Sequence, residues 1–137
     1  MIKSEFNPST GEIGQQWASS DPEFFVLNTT EERKFLDGEY KRETHYVDIS
    51  LDPVEVKARP SFTATADKTT IVANGSDVLT VSGLPEGSTR VAISGPITTA
   101  WIEDRNQITL TVNIPGSYQI KFTQFPYLPS SVDFDAT

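Results

Sequence analysis

The sequence contains no cysteine. This absence excludes disulfides, thiolate nucleophiles and zinc sites built on thiolates. Histidine is nearly absent too, because His45 is the only one, and a single histidine cannot form a two-histidine metal site. His45 lies beside Tyr46 in a segment of alternating polar and apolar residues. We expect it to pack or to form a hydrogen bond, with a partner contact as the next alternative and catalysis as the last.

Long apolar runs and clusters of basic residues are also missing. No window approaches the ~20 apolar residues that a membrane span needs, and residues 1–5 lack the apolar stretch of a signal peptide. We therefore expect no membrane insertion. The net charge is -8, from 11 basic and 19 acidic residues. This argues against nucleic acid as a partner, because phosphate binding needs clustered lysine and arginine.

The common motifs of catalysis and of cofactor binding do not occur either. The sequence has no glycine-rich phosphate loop and no Asp-x-Asp-x-Asp-Gly calcium loop. Adjacent acids such as Glu103-Asp104 do not supply the two facing carboxyl groups of a glycosidase, and we interpret this pair as a solvated hairpin loop. The prediction is that the chain has no catalytic residue, no cofactor and no metal site.

The residues that are present divide the chain into two parts near Ala58-Arg59-Pro60. The first 60 residues carry 12 acids and 7 bases, against 7 and 4 in the rest, yet they hold seven of the fourteen aromatic residues. Disordered tails are usually poor in aromatics. We therefore predict that residues 1–59 form an ordered attachment arm, extended or folded as hairpins, or a small β subdomain. Hydrophobic residues are 36% of the chain, which predicts a thin core completed by a partner.

The second part alternates between apolar and polar residues with the period of a β-strand. In residues 118–123, for example, Tyr118, Ile120 and Phe122 alternate with polar residues, and Trp101 lies in a similar strand and is assigned to the core. About seven such segments are separated by turn residues, which is typical of a β-sandwich. We predict a mainly β protein with an immunoglobulin-like antiparallel sandwich at 60–137. The segments are residues 62–66, 78–81, 90–93, 99–102, 108–112, 118–123 and 132–134.

The first part is less regular. Residues 2–6 and 45–49 have strand patterns, and residues 24–27 form a short apolar run. Thr29 and Glu32 offer a capping box for one or two helical turns, and Asp37-Gly38 is a hairpin-turn signal.

Several aromatic residues in both parts are candidates for contact with a partner. Trp17 lies in a polar stretch, so we consider it either a partner anchor or a residue packed on the sandwich. The loop at residues 125–129 is either a plug at one end of the sandwich or a docking surface. The predicted partner-binding residues are Phe6, Trp17, Phe24, Phe25, Tyr46 and Tyr127.

Two resemblances bear on the function. The segment ADKTTIVANGSD at residues 66–77 resembles the opening of bacterial immunoglobulin-like domains of the invasin type. The overall layout resembles that of small tail-region proteins of tailed bacteriophages and prophages. This second likeness rests on FNPSTGEI at 6–13, THYVD at 44–48, the ARP junction at 58–60 and the closing tracts PGSY and FPYL. The charged stretch at residues 31–43 departs from that layout.

The second resemblance implies a structural protein of the virion tail, made in the cytoplasm of the host bacterium. Such a minor tail, baseplate or fibre-attachment component binds other tail proteins within a homo- or hetero-oligomeric assembly, and a host-surface glycan or protein is a further candidate partner. A carbohydrate-binding sandwich is the alternative, although Trp17, Trp101 and Tyr127 are too scattered along the sequence to indicate a binding platform. A hydrolase ranks last.

Overall fold

The computed structural model describes all 137 residues, Met1–Thr137. The protein is mainly β and its strands form antiparallel sheets, as the alternating pattern predicts. The chain divides into two compact units, Met1–Arg59 and Pro60–Thr137. The one helix has six residues, which is too short to span a membrane.

The first unit contains five strands and one helix. Its three-stranded sheet has the order β2-β1-β3, and β4 pairs with β5 in a separate hairpin. The elements are β1 (Ile2–Phe6), β2 (Ile13–Ala18), α1 (Pro22–Leu27), β3 (Lys34–Asp37), β4 (His45–Asp48) and β5 (Glu55–Ala58).

One face of the three-stranded sheet forms the core of this unit. Phe6 and Ile13 face Val47 there, and all three are buried. Ser4 is fully buried on the same face, where its hydroxyl donates a hydrogen bond to the carbonyl of Gly38 and accepts one from the backbone N–H of Tyr40. A fully satisfied hydroxyl is what burial of a serine requires. The first 59 residues thus form a compact unit with a core of its own.

Two local predictions in this unit are wrong. Thr29 does not begin a helix: its hydroxyl donates to the Phe25 carbonyl, 2.7 Å away, at the end of α1. Asp37-Gly38 is not a hairpin turn, because β3 pairs with β1 and the next strand, β4, pairs with β5. The second error arises because the partner of β3 is β1, which lies far away along the chain.

The second unit contains eight strands in two sheets. The five-stranded sheet has the order β10-β9-β12-β13-β7 and the three-stranded sheet has the order β11-β8-β6. Every pair is antiparallel except β7 with β13. The strands are β6 (Thr65–Ala66), β7 (Thr70–Ile71), β8 (Leu79–Ser82), β9 (Thr89–Ser94), β10 (Thr99–Glu103), β11 (Gln107–Leu110), β12 (Gly116–Thr123) and β13 (Ser130–Ala136).

A single core lies within this unit. In β12 the side chains of Tyr118, Ile120 and Phe122 are buried, while the polar residues between them are exposed. This alternation leaves one wet face, as is usual for antiparallel sheets. Trp101 is half-buried and packs against the core, as its strand pattern predicts.

The loop at Glu103-Asp104 is not a hairpin. It leads from β10, which pairs with β9, to β11, which pairs with β8 in the other sheet. The loop is anchored by a 2.7 Å hydrogen bond from the Ser88 hydroxyl to the Asp104 carboxylate.

Candidate partner-binding surface

The second face of the three-stranded sheet carries aromatic and charged side chains. Side chains alternate between the two faces of a strand, so Lys3 and Glu5 of β1 lie opposite to buried Ser4 and Phe6. The register places Lys3 beside Trp17 of β2 and Glu5 beside Phe35 of β3. This face is packed against α1.

Helix α1 begins with a sequence signal of its own. Asp21 has an extended backbone conformation and its carboxylate accepts a hydrogen bond of 3.0 Å from the N–H of Glu23. Pro22 follows in the first turn, where its missing N–H costs nothing. Six residues are too few for a stable isolated helix. Its stability must therefore come from packing on the sheet.

That packing is aromatic. The ring of Phe24 lies 5.8 Å from that of Trp17 and 5.3 Å from that of Phe25. Phe35 is edge-on to Trp17 at 5.9 Å and to Phe25 at 5.3 Å. Tilted and edge-to-face pairs at these distances are favourable beyond the area that they bury. We call these four residues the aromatic cluster.

Charged side chains contact the aromatic cluster at its border. The indole N–H of Trp17 donates a 2.6 Å hydrogen bond to Glu5, and the Arg33 guanidinium lies 3.7 Å from the same carboxylate oxygen. Arg33 is also 5.3 Å from the centre of the Trp17 ring, and the Lys3 ammonium is 5.1 Å from that of Phe25. Cations at these distances are attracted to the faces of aromatic rings. The position of Trp17 is therefore fixed from several sides.

The outward side of α1 is apolar as well. Phe25 is 4% exposed, whereas Val26 is 74% and Leu27 is 80% exposed. The four consecutive apolar side chains at 24–27 point in all directions around the helix axis. When one side of the helix packs on the sheet, the apolar side chains on its other side are exposed to water. Val26 and Leu27, which we call the α1 patch, have the highest exposed fractions of the large hydrophobic residues that stay exposed. Adjacent exposed apolar side chains on an anchored helix are suited to contact with another protein.

The structure brings three of the six predicted partner-binding residues together: Trp17, Phe24 and Phe25 share the aromatic cluster. Phe25 is buried, and Trp17 and Phe24 are half-buried. Trp17 lies in β2 and packs within its own unit. These residues therefore hold α1 on the sheet.

The other three predicted residues lie apart from the cluster. Phe6 is 4% exposed in the core on the opposite face of the sheet, so its side chain does not form part of a surface. Tyr46 is half-buried in β4. Tyr127 is half-buried in the loop after β12, where its ring is edge-on to Phe62 at 5.8 Å. In the same loop the Leu128 N–H donates to the Pro60 carbonyl, 2.7 Å away.

Sequence reasoning missed Phe35 and the α1 patch. Phe35 follows the charged pair Arg33-Lys34, and only its register with Glu5 reveals the face on which it lies. The patch had a detectable signal, because Asp21-Pro22 before an apolar run marks the start of a helix.

The residues of the two alternative functions also have defined places. Of the aromatics proposed for carbohydrate binding, Trp17 belongs to the first unit, and Trp101 and Tyr127 belong to β10 and a loop of the second. The His45 ring nitrogen Nδ1 lies 2.8 Å from the Thr44 hydroxyl, and the ring packs 5.5 Å from that of Tyr40. Both contacts are of the packing and hydrogen-bonding kind expected for this histidine.

No model of a known protein family matches the chain, and a search of curated proteins finds no match.

Proposed function

We propose that the chain is a structural component of the tail of a tailed bacteriophage, which binds neighbouring tail proteins through its first unit and does not catalyse a reaction. The observation that carries the proposal is the α1 patch. Val26 and Leu27 are exposed to solvent on a helix that packs on the sheet through the aromatic cluster. Burial of two such side chains stabilises an interface by roughly 1.5–3 kcal/mol each. The resemblance in layout to small phage tail proteins supports the location.

We also propose that the second unit is an immunoglobulin-like sandwich that serves as a spacer or an adhesive knob. Its strand pairing supports this, because a three-stranded sheet faces a larger sheet in which β9, β12 and β13 are neighbours, as C, F and G are in that fold. The hydroxyl of Tyr118, near the start of β12, donates to the Ile114 carbonyl at 2.6 Å. A tyrosine that bonds back to the chain at this point is a hallmark of such sandwiches.

The test is whether the chain is part of the particle. Particles from a host that carries the gene are purified on a density gradient, and peptides of the chain are quantified by mass spectrometry in the particle band and in the free fraction. We expect the same copy number per particle in independent preparations. A chain that stays in the free fraction with soluble host proteins would rule the proposal out. Binding to a glycan array that disappears in Trp101→Ala would instead favour the carbohydrate-binding alternative.

A further inference from the structure

The α1 patch is presented rigidly. Phe25 is buried between the rings of Phe24 and Phe35, and the Thr29 hydroxyl bonds to its carbonyl at the end of the helix. Val26 and Leu27 follow immediately on the outward side. A partner therefore meets side chains whose backbone is already ordered, so little conformational entropy is lost on binding.

The border of the α1 patch is acidic. Glu23 is exposed and lies one turn before Leu27, so the two side chains share a face of the helix. Glu31 and Glu32 are exposed in the turn that follows α1, which is closed by backbone hydrogen bonds between Thr30 and Arg33. Three carboxylates thus lie within five residues of Leu27 along the chain.

Two of the cations near this border have other partners, and the register of Lys34 with Phe6 places the third on the opposite face of the sheet. Arg33 lies against Glu5 and the ring of Trp17. Lys3 forms a 3.0 Å ion pair with Asp37 and lies against the ring of Phe25. The α1 patch is therefore an apolar surface in a negative field.

This charge pattern argues against a second copy of the chain as the occupant. A symmetric dimer places the same patch of each subunit against the other. Glu23, Glu31 and Glu32 of one subunit would then lie close to the same acidic set of the other, and like charges across an interface are unfavourable. A surface with an apolar centre and basic residues around it has the complementary chemistry.

We propose that the α1 patch docks on a basic, apolar surface of a neighbouring tail protein, an inference that rests on the proposed function. Leu27 and Val26 fill the apolar centre of this contact. Glu23, Glu31 and Glu32 pair with lysine or arginine residues at its rim, where they guide association and set the choice of partner.

The experiment is a competition for places in the particle. A phage that encodes the natural chain is grown in a host that also expresses a tagged full-length variant. The ratio of variant to natural chain is then measured in purified particles and in the lysate. We expect Leu27→Asp to lower the particle ratio at least about 30-fold relative to the tagged natural sequence, because it places a charge in the centre of the contact. Glu31→Lys/Glu32→Lys is expected to lower it about 3- to 10-fold.

Matched controls separate docking from a general change in charge or folding. Glu12→Lys/Glu55→Lys makes the same change in net charge within the same unit. Its residues are exposed at the β1–β2 turn and on the β4–β5 hairpin, not on the side of α1. Ile102→Asp places a charge at a residue of the second unit that is 61% exposed. Both controls are expected to enter particles as the natural sequence does, and all variants are expected to keep its thermal unfolding temperature.

Each other outcome has a distinct meaning. If the natural chain is absent from particles, the proposed function fails. If the natural chain is present but the reversal at Glu31 and Glu32 enters particles as well as the reversal at Glu12 and Glu55, the basic partner surface is wrong and the proposed function stands. If the purified chain is a dimer that Leu27→Asp converts to a monomer, the occupant is a second copy and the inference is overturned.

Discussion

The indole nitrogen of Trp17 donates a 2.6 Å hydrogen bond to the carboxylate of Glu5, on the neighbouring strand of the same sheet. The bond joins β2 to β1 on the face of the sheet that carries α1, and Arg33 lies against both residues. The orientation of the aromatic cluster, and with it the position of the α1 patch, depends on this pair.

Replacement of Glu5 by alanine should lower the free energy of unfolding of the first unit by about 1–3 kcal/mol, because a half-buried indole N–H loses its charged acceptor. The Trp17 indole proton resonance should shift, while that of Trp101 in the second unit should not. Chemical denaturation and two-dimensional NMR measure these effects. Glu12→Ala, at an exposed turn, is the control. Unchanged stability in Glu5→Ala would show that the bond does not hold the cluster.

Replacement of Tyr118 by phenylalanine should destabilise the second unit by about 1–2 kcal/mol, because the carbonyl of Ile114 loses its 2.6 Å donor in a partly buried place. Tyr118→Leu should cost more, since it also removes the ring stacked on Phe134 at 4.9 Å. Denaturant titration of the full chain tests both changes. Equal costs for the two substitutions would mean that the hydroxyl alone matters.

Two glycines of the second unit allow the free-energy cost of backbone strain to be distinguished from that of a steric clash. Gly75 and Gly83 both have positive φ, +74° and +87°, and alanine is disfavoured there by about 1–2 kcal/mol. A Cβ on Gly83 would lie 2.4 Å from the Thr63 carbonyl oxygen, whereas one on Gly75 meets nothing within 4 Å. We expect Gly83→Ala to destabilise by about 3 kcal/mol or more and Gly75→Ala by about 1 kcal/mol. Thermal unfolding measures the stability of both variants. Closely similar unfolding temperatures would contradict this expectation.

The β4–β5 hairpin has a defined response to acid. The Lys57 ammonium donates a 2.7 Å hydrogen bond to Asp48, and with the Ser50 hydroxyl it lowers the Asp48 pKa from 3.8 to about 2. Folding lowers this pKa, so the carboxylate stabilises the first unit above pH 3.8. That contribution is lost as the pH falls from 3.8 through about 2.

Lys57→Met should therefore raise the Asp48 pKa toward 3.8 and reduce the loss of stability over this pH range. A carboxyl NMR titration gives the pKa, and unfolding at pH 5 and at pH 2 gives the stability. Lys41→Met, in the loop before β4, should leave both unchanged. An Asp48 pKa that does not move in Lys57→Met would show that the ion pair is not formed in solution.

The β-strands of the protein are determined by the local sequence. Alternation such as Tyr118, Ile120 and Phe122 needs only neighbouring residues, because each side chain of a strand points to the face opposite that of the next. The same pattern assigns Trp101 to the core, and it packs there.

The tertiary structure alone decided which strands pair and which aromatics are exposed. Residues 103–106 resemble a hairpin turn, yet β10 and β11 join different sheets, because pairing depends on long-range burial that no local window contains. The apolar run at 24–27 has strand-forming residues, but the Asp21 cap and the packing of Phe25 against Phe35 make it helical. The sequence thus determined the alternation of apolar and polar side chains in each segment. Tertiary contacts determined which element the segment packs against, because the free energy of burial depends on both surfaces in contact and not on single residues.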